Sequence, residues 1–334
     1  MINTKVFLMN SITSLEEVES NILTLSNEKI VPGLTDTELR TLRNEDKKFF
    51  SSWTRLNSID TSILELDFHN EFEELPGDIK FIVRNAHIEY SKRKKRDSLG
   101  CLLSKELRLN IIDIPVIFFE NDGNVYAIIC TNDKHVRKVI DLIRDTNINL
   151  DSDYYNITPN EFYWLFYRYS NELNELHEKV SINNITSFKG NIFDEHHVIE
   201  GNSDDTSNLI VTKAFVCTGN DFTKMKIDLG AFGFNIVFLI DNNSNLNIDA
   251  DSTIFLTEYP SEIVLPLYII ALVVPMIHKF YNEDNFTDDC SIKDEFSKRI
   301  GIDVIKKVIE YNQIDIQDLE VLFGETQTTL DVVR

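Results

Sequence analysis

The chain has 334 residues, a formal net charge of −22 and 43% hydrophobic residues. That length favours two domains, and the hydrophobic content excludes a wholly disordered protein. So acidic a surface excludes broad attraction to nucleic acid or anionic lipid, so a polyanion has to be met at a local basic patch.

The cysteines Cys101, Cys130, Cys217 and Cys290 lie far apart with no CxxC pair. That pattern is neither a disulfide framework nor a zinc ribbon, and it suits reduced thiols. The first twenty residues lack a basic stretch followed by a long apolar one, so no signal peptide is expected. A cytoplasmic location follows as the expectation.

In chain order, Lys5–Met9 reads as a strand. Ser14-Leu-Glu-Glu17 and Thr35-Asp-Thr-Glu38 carry the spacing of capping boxes, the second opening a charged helix that should reach Phe49-Phe50. Ile63–Phe68 alternates apolar and acidic residues, as a half-buried strand does. After the Pro76-Gly77 turn, Ile79, Ile82, Val83, Ala86 and Tyr90 suit an amphipathic helix ending in the run Lys92-Arg93-Lys94-Lys95-Arg96. A hairpin is expected next, with Ile114–Phe119 turning at Asn121-Asp-Gly-Asn124 and returning through Val125–Cys130. Asn132-Asp133 should then cap a helix carrying Val136, Val139, Ile140 and Ile143.

Polar Asn147–Asn156 is the candidate boundary between an N-terminal α+β domain (1–150) and a C-terminal one (151–334). Thr158-Pro-Asn-Glu161 opens an aromatic helix predicted to run towards Lys179. Strands are expected over Leu209–Val211 with Ala214–Cys217, over Phe234–Ile240, and over Leu246–Ile248 after the turn Asp241–Asn245. Helices should fill the last third, at Glu262–Tyr281, Ser291–Tyr311 and Leu319–Phe323. The apolar run Ile263–Ile277 is broken by Pro266 and Pro275 and falls short of the roughly 20 residues a membrane span needs. A buried helix, and no membrane span, is the expectation. The fold class is α+β: helices packed on antiparallel hairpins or sheet, with a helical C-terminal third.

Three constellations could carry function. The first is Asp194-Glu195-His196-His197 with Glu200, Asp204 and Asp205. Carboxylates and imidazoles are the ligands of divalent metals. Adjacent histidines on a strand diverge to opposite faces, however, and Gly201-Asn202-Ser203 reads as a solvated loop. Second, a metal-dependent nuclease needs an acid ahead of a strand bearing acid-x-Lys. Here Asp205 precedes Val211-Thr212-Lys213, with valine in the acid's place. Cys130 near His135 could form a thiolate pair, although a structural thiol is the simpler reading.

The third is the basic run, Lys92, Arg93, Lys94, Lys95 and Arg96, without which the chain would be five charges more negative. Five adjacent cations repel, and phosphates, an acidic protein face or anionic lipid would offset that cost. No P-loop, GxSxG elbow, RNP, KH or zinc-finger pattern accompanies them.

Usage rich in Asn, Ile, Lys and Asp has the texture of proteins encoded on AT-rich bacterial mobile elements. The expected function is therefore a non-enzymatic interaction or sensing component of a bacterial, phage-defence-like conflict system. It would act by surface recognition, with a protein partner or self-association. Nucleic acid would bind only through residues 92–96. No cofactor is expected, and whether the chain catalyses anything stays open. The alternative is a metal-dependent hydrolase or diverged nuclease using Asp194, His196, His197, Asp204 and Asp205.

Overall fold

The structure, a computed structural model, describes the chain apart from residues 57–60, 66–76, 152–153, 172, 193, 256–258, 285, 287–289 and 316–334. Of residues 61, 65, 133, 194–196, 290 and 291 it describes the backbone alone. The fold is α+β. Two compact units divide the chain, Met1–Ile157 with Asp228–Lys279, and Thr158–Ile227 with Phe280–Arg334. Both are discontinuous in sequence.

The first unit begins with β1 (Ile2–Met9), β2 (Asn27–Ile30), β3 (Lys48–Arg55), β4 (Thr61–Glu65), β5 (Asp78–Ser91), β6 (Leu109–Asn121), β7 (Asn124–Ile129) and β8 (Ile148–Asn149). The second contributes β9 (Glu175–His177), β10 (Val180–Ile192), β11 (Asp194–Asn202) and β12 (Asp221–Ala231). The cut between units falls within β12. β13 (Phe234–Asp241) and β14 (Asn245–Ile248) return to the first unit.

In the first unit the strand order is β13-β14-β1-β7-β6-β5-β3-β2, with β4 on β5 and β8 on β1. In the second, β10 lies between β11 and β12 and also pairs β9. Every described register is antiparallel. The β6–β7 hairpin forms where its turn signal lies. Asp122 (φ 49°) and Gly123 (φ 73°) both take the left-handed backbone of a type I′ turn, which explains Asp-Gly there. The Asp133–Ile143 helix buries Val136, Val139, Ile140, Leu142 and Ile143 in the same core as β1, β5, β6 and β7.

Three expectations need correction. Residues 78–91 form the long strand β5 rather than a helix. Its buried positions fit both periods at first, but Phe81 and Ile88, at 0% and 3% exposed, lie off the helical stripe: Phe81 alternates with Ile79 and Val83 on one face of the strand, and Ile88 with Ile82 and Ala86 on the other. A central strand buried on both faces reads as a near-continuous apolar run, which blurs its period. Residues Ile210–Cys217 form a helix rather than a strand. Its buried residues Thr212, Phe215 and Val216 follow helical spacing, and tertiary burial overrides the β preference of its valines and isoleucine. Third, two helices are shorter than expected. The Thr35 capping box is complete, yet its helix stops at Thr41 and β3 takes up Phe49-Phe50. The Thr158 box is also complete, and its helix ends at Ser170.

Residues 161–166 of that aromatic helix are all buried, so the aromatic density is core. Trp164 Nε1 donates to Asp284 Oδ2 at 2.6 Å. The strand over Ile63–Phe68 is seen to Glu65, and both its remainder and the helix over Leu319–Phe323 lie outside the described residues.

The apolar run Ile263–Ile277 sits inside a helical run, Ser261–Glu283, of 23 residues. It is long and apolar enough to cross a membrane by length and composition, with a mean hydropathy of 2.0, but 83% of that window is buried in the protein. Core helices of soluble proteins pass the same test. Between Pro266 and Pro275 the run turns π-helical at Ile269–Val273. Each proline removes a backbone donor, and a π-turn accommodates such a break.

Candidate functional site

The acidic–imidazole residues lie along β11 and the turn beyond it. In the β10–β11 ladder Val198 faces Asn191 and Asp194 faces Ile192, so the register slips over 195–197. From Val198 to Asn202 the ladder is regular, and the Ser203 amide continues it to the Thr186 carbonyl (2.8 Å). The six steps from His197 to Ser203 span about 20 Å at 3.3 Å per strand residue. The histidine and the Asp204-Asp205 pair therefore occupy opposite ends of the strand.

His197, Asp204 and Asp205 are exposed. The Asp205 carboxylate accepts from Asn208 Nδ2 at 2.7 Å, and Asn184 Nδ2 donates to the Asp204 carbonyl at 3.2 Å. These are contacts of a turn. The side chains of Asp194, Glu195 and His196 lie outside the described residues. Among the described residues no group of three or more His, Cys, Asp or Glu could hold a metal ion.

Other nucleophile and nuclease candidates are absorbed by structure. Lys213 lies on a helix and pairs with Asp303. Two carboxylates at the ends of the β6 apolar run are engaged as well: Glu120 Oε1 accepts the Leu15 amide at 2.6 Å, and Asp113 pairs with His87 at 2.8 Å. Burial, helped by the Glu262 carboxylate, pushes the Cys130 thiol up to about 12. Burial and the nearby Lys138 and Lys134 lower the His135 imidazole. A thiolate–imidazolium pair is therefore disfavoured on both sides.

The basic run is a loop at the end of β5, and the fold divides it in two. A short hairpin closes it: the Lys92 amide bonds the Arg108 carbonyl (2.8 Å), Arg96 bridges Leu102, and the Leu103 amide bonds the Lys95 carbonyl (2.9 Å). Arg96 grips Glu38 through both nitrogens (2.8 and 2.7 Å) and also bonds the Gly100 carbonyl (3.0 Å). Lys95 Nζ donates to the Pro32 carbonyl at 2.8 Å. Arg108, 1% exposed, ties the base of the loop to the Asp46 and Leu103 carbonyls at 2.5 and 3.1 Å. Lys95 and Arg96 therefore build the loop. Lys92, Arg93 and Lys94 make no described side-chain hydrogen bond or ion pair, and of the five residues only Arg93 and Lys94 are exposed.

Beside the loop lies a cleft of about 620 Å³. Leu109 and Ile111 supply its apolar surface, and Lys92, Glu45 and Glu106 stand among its walls. Glu89 and Lys105 cross it as an ion pair of 2.7 Å, with Lys105 4.7 Å from the Phe50 ring centroid. Sequence reasoning did not find this cleft, because its walls come from three separate stretches of chain. The second unit holds a larger open cleft of about 900 Å³ with Lys213, Lys298, Arg299 and Lys306 against Asp294, Glu295 and Asp303. Its charges nearly balance, and Lys213 and Arg299 already serve Asp303 and Asn171.

The Arg96–Glu38 contact gives a pH prediction. The Arg96 guanidinium, and after it the Thr35 amide, hold the Glu38 carboxyl down to about 2. A depressed carboxyl stabilises the folded loop above its ordinary pKa and loses that contribution as pH falls through the folded value. The loop should therefore stay closed at pH 5 and loosen between about pH 4.5 and 2. In an Arg96→Met variant the Glu38 carboxyl, followed by NMR titration, should return to the usual carboxylate range. A wild-type Glu38 that already titrates there would refute the clamp.

No protein-family model matches the chain, and no curated protein matches it in sequence.

Proposed function

We propose that the protein works by surface recognition rather than by chemistry, as a non-enzymatic interaction or sensing component of a bacterial, phage-defence-like conflict system in the cytosol. The observation that carries this reading is the divided basic loop. Two cations and a buried arginine fix the loop to the fold, while Lys92, Arg93 and Lys94 are left without a described partner in a chain of charge −22. Holding three like charges together on a rigid support costs energy that an acidic contact would offset. The free thiols of Cys101, Cys130 and Cys217 agree with a reducing compartment. The residue usage typical of AT-rich mobile elements supports the conflict-system setting.

The test is phage plating on cells carrying the chain with its native gene neighbours. Protection should be lost with K92S/R93S/K94S and kept with His197→Ala/Asp204→Ala/Asp205→Ala. The purified chain should leave DNA and RNA intact with Mg²⁺ or Mn²⁺. The reverse pattern, with metal-dependent cleavage abolished by the acidic–imidazole variant, would replace this reading with a hydrolase or nuclease on the Asp194–Asp205 segment.

A further inference from the structure

A hollow of about 270 Å³ lies between the Asp133–Ile143 helix and the β2 edge of the first unit's sheet. Its floor is one face of β2, β3 and β5. The registers Asn27↔Ser51, Lys29↔Phe49 and Ser51↔Ile88, with the alternation of a strand, put Asn27, Lys29, Phe49, Ser51, Ile88 and Tyr90 on that face. Lys138 and Asp141 line it from the helix, and Ile30 and Pro32 from the edge. The hollow separates two apolar clusters. Ile88 belongs to the main core of the unit, whereas Phe49 packs in a small cluster with Val31 and Leu109. Ser51, the cross-strand neighbour of Ile88, is too short to fill the space. Apolar groups that line a void lack dispersion partners on that side, and an apolar guest would supply them.

Three of the four charged residues in the lining are already paired. Lys29 and Asp141 meet at 2.5 Å, and Arg137 also holds Asp141 (3.2 Å). Glu89 accepts the Phe50 amide at 3.1 Å and pairs with Lys105 at 2.7 Å. The neutral groups Asn27 and Ser91 donate to the Asp141 and Lys92 carbonyls (3.4 and 3.0 Å). Lys138 is the exception. Its ammonium lies 4.9 Å from the Tyr90 ring centroid and donates to the Lys134 carbonyl at 3.3 Å, but no described carboxylate meets it. Lys138 is half-buried, with the like-charged Lys134 one turn earlier on the same helix. An anion placed there is partly sheltered from water, where a charge pair is worth more than on an open surface.

We propose that this hollow binds a small carboxylic acid, with its hydrocarbon body against Phe49, Ile88 and Tyr90 and its carboxylate on Lys138 Nζ. An apolar cavity of about 150 Å³ holds benzene, so about 270 Å³ takes two fused rings or a chain of roughly eight carbons. A single unpaired cation sets the ligand's charge at one. Glu89 and Asp141 in the wall would repel a second negative charge, which rules out nucleoside polyphosphates and oligonucleotides. The hollow shares no residue with Lys92, Arg93 and Lys94. The site therefore goes beyond the surface-recognition reading, which neither requires it nor falls with it.

Titration calorimetry of the full chain tests the proposal with two acids, naphthoate and octanoate, and with naphthalenemethanol and naphthylmethylamine as neutral and cationic counterparts. At least one acid should bind with a dissociation constant of about 0.1 mM or tighter, ordinary for a ligand of this size. Which acid binds tells an aromatic ligand from an aliphatic one. Amide shifts on binding should fall on residues 27–32, 49–51, 88–91 and 138–141. Lys138→Met keeps the stem and loses the charge. It should weaken the bound acid at least tenfold, to the affinity of its neutral counterpart, without lowering the melting temperature. Ser51→Leu should fill the hollow and abolish binding. No acid bound at about 1 mM would overturn the proposal. So would an acid that Lys138→Met binds as tightly as wild type, a preference for the amine, or shifts centred elsewhere on the chain.

Discussion

Leu267→Asp should abolish cooperative folding of the first unit. Leu267 is 0% exposed, in a helix whose residues 263–274 are all buried. Losing the leucine side chain alone costs about 2–5 kcal/mol. The aspartate adds a charge with no partner in an apolar interior, or else a neutral carboxyl whose pKa burial has raised, at several kcal/mol more. The sum is comparable to the whole stability of an ordinary domain, about 5–15 kcal/mol. Denaturant titration should show no native baseline for this variant. Leu267→Met, which conserves volume, should cost less than about 1.5 kcal/mol. A soluble, cooperatively unfolding Leu267→Asp protein, or wild type recovered in the membrane fraction without a partner, would mean that this helix does not sit in a protein core.

That helix was legible because its signal is long and unambiguous. So was the β6–β7 hairpin, because Asp-Gly between two apolar runs admits few turns, and so were the Thr35 capping box and the helix start at Thr158-Pro159, whose signals are local. What failed was local sequence under non-local control. β5 is buried on both faces, so period 2 and period 3.6 both describe parts of it. Residues 210–217 have the composition of a strand, and their helix is set by what Phe215 and Val216 bury against. Helix lengths failed for the same reason: the caps announce where a helix starts, and tertiary pairing decides where the next strand takes over.

The basic run shows the same limit in the candidate site. Its charge stood out at once, but five neighbouring cations look alike in sequence. Arg96 differs from Arg93 only because Glu38, 58 residues earlier, reaches it. The cleft at Leu109 likewise depends on how residues 43–46, 89–92 and 105–111 come together. The acidic–imidazole segment, which the sequence offered as a metal site only in the alternative reading, shows the converse. Its residues are near in sequence, but an extended strand moves each step about 3.3 Å further from the last, which separates His197 from Asp204.

Gly190 had no signal at all in the sequence, and its substitution carries the second large effect. A glycine inside a strand usually weakens it, so Gly→Ala at an open strand position gains roughly 0.5–1 kcal/mol from the stiffer unfolded chain. At Gly190 a Cβ would lie 2.1 Å from Cζ of Phe215 and 2.8 Å from the Asp221 carbonyl oxygen. The ring cannot swing aside freely: its centroid lies 5.4 Å from Phe188 and 5.0 Å from Phe222, and Phe222 in turn packs 5.5 Å from Phe166. The carbonyl belongs to β12, which pairs with β10 in this unit, so it moves only if the ladder moves. Overpacking of a tight core costs about 1–3 kcal/mol or more, and a clash with backbone belongs at the upper end. Gly190→Ala should therefore destabilise the second unit by about 3 kcal/mol, against the small entropic gain. Adding Phe215→Leu should recover part of that loss. Because one clash is shared, the double variant should be less destabilised than the two single changes added together, by about 1 kcal/mol. Urea unfolding followed through Trp164, which is buried in this unit, reads the effect directly. A Gly190→Ala midpoint equal to wild type, or strict additivity in the double variant, would mean that Phe215 does not press on β10, and with it would fall the helical placement of Ile210–Cys217.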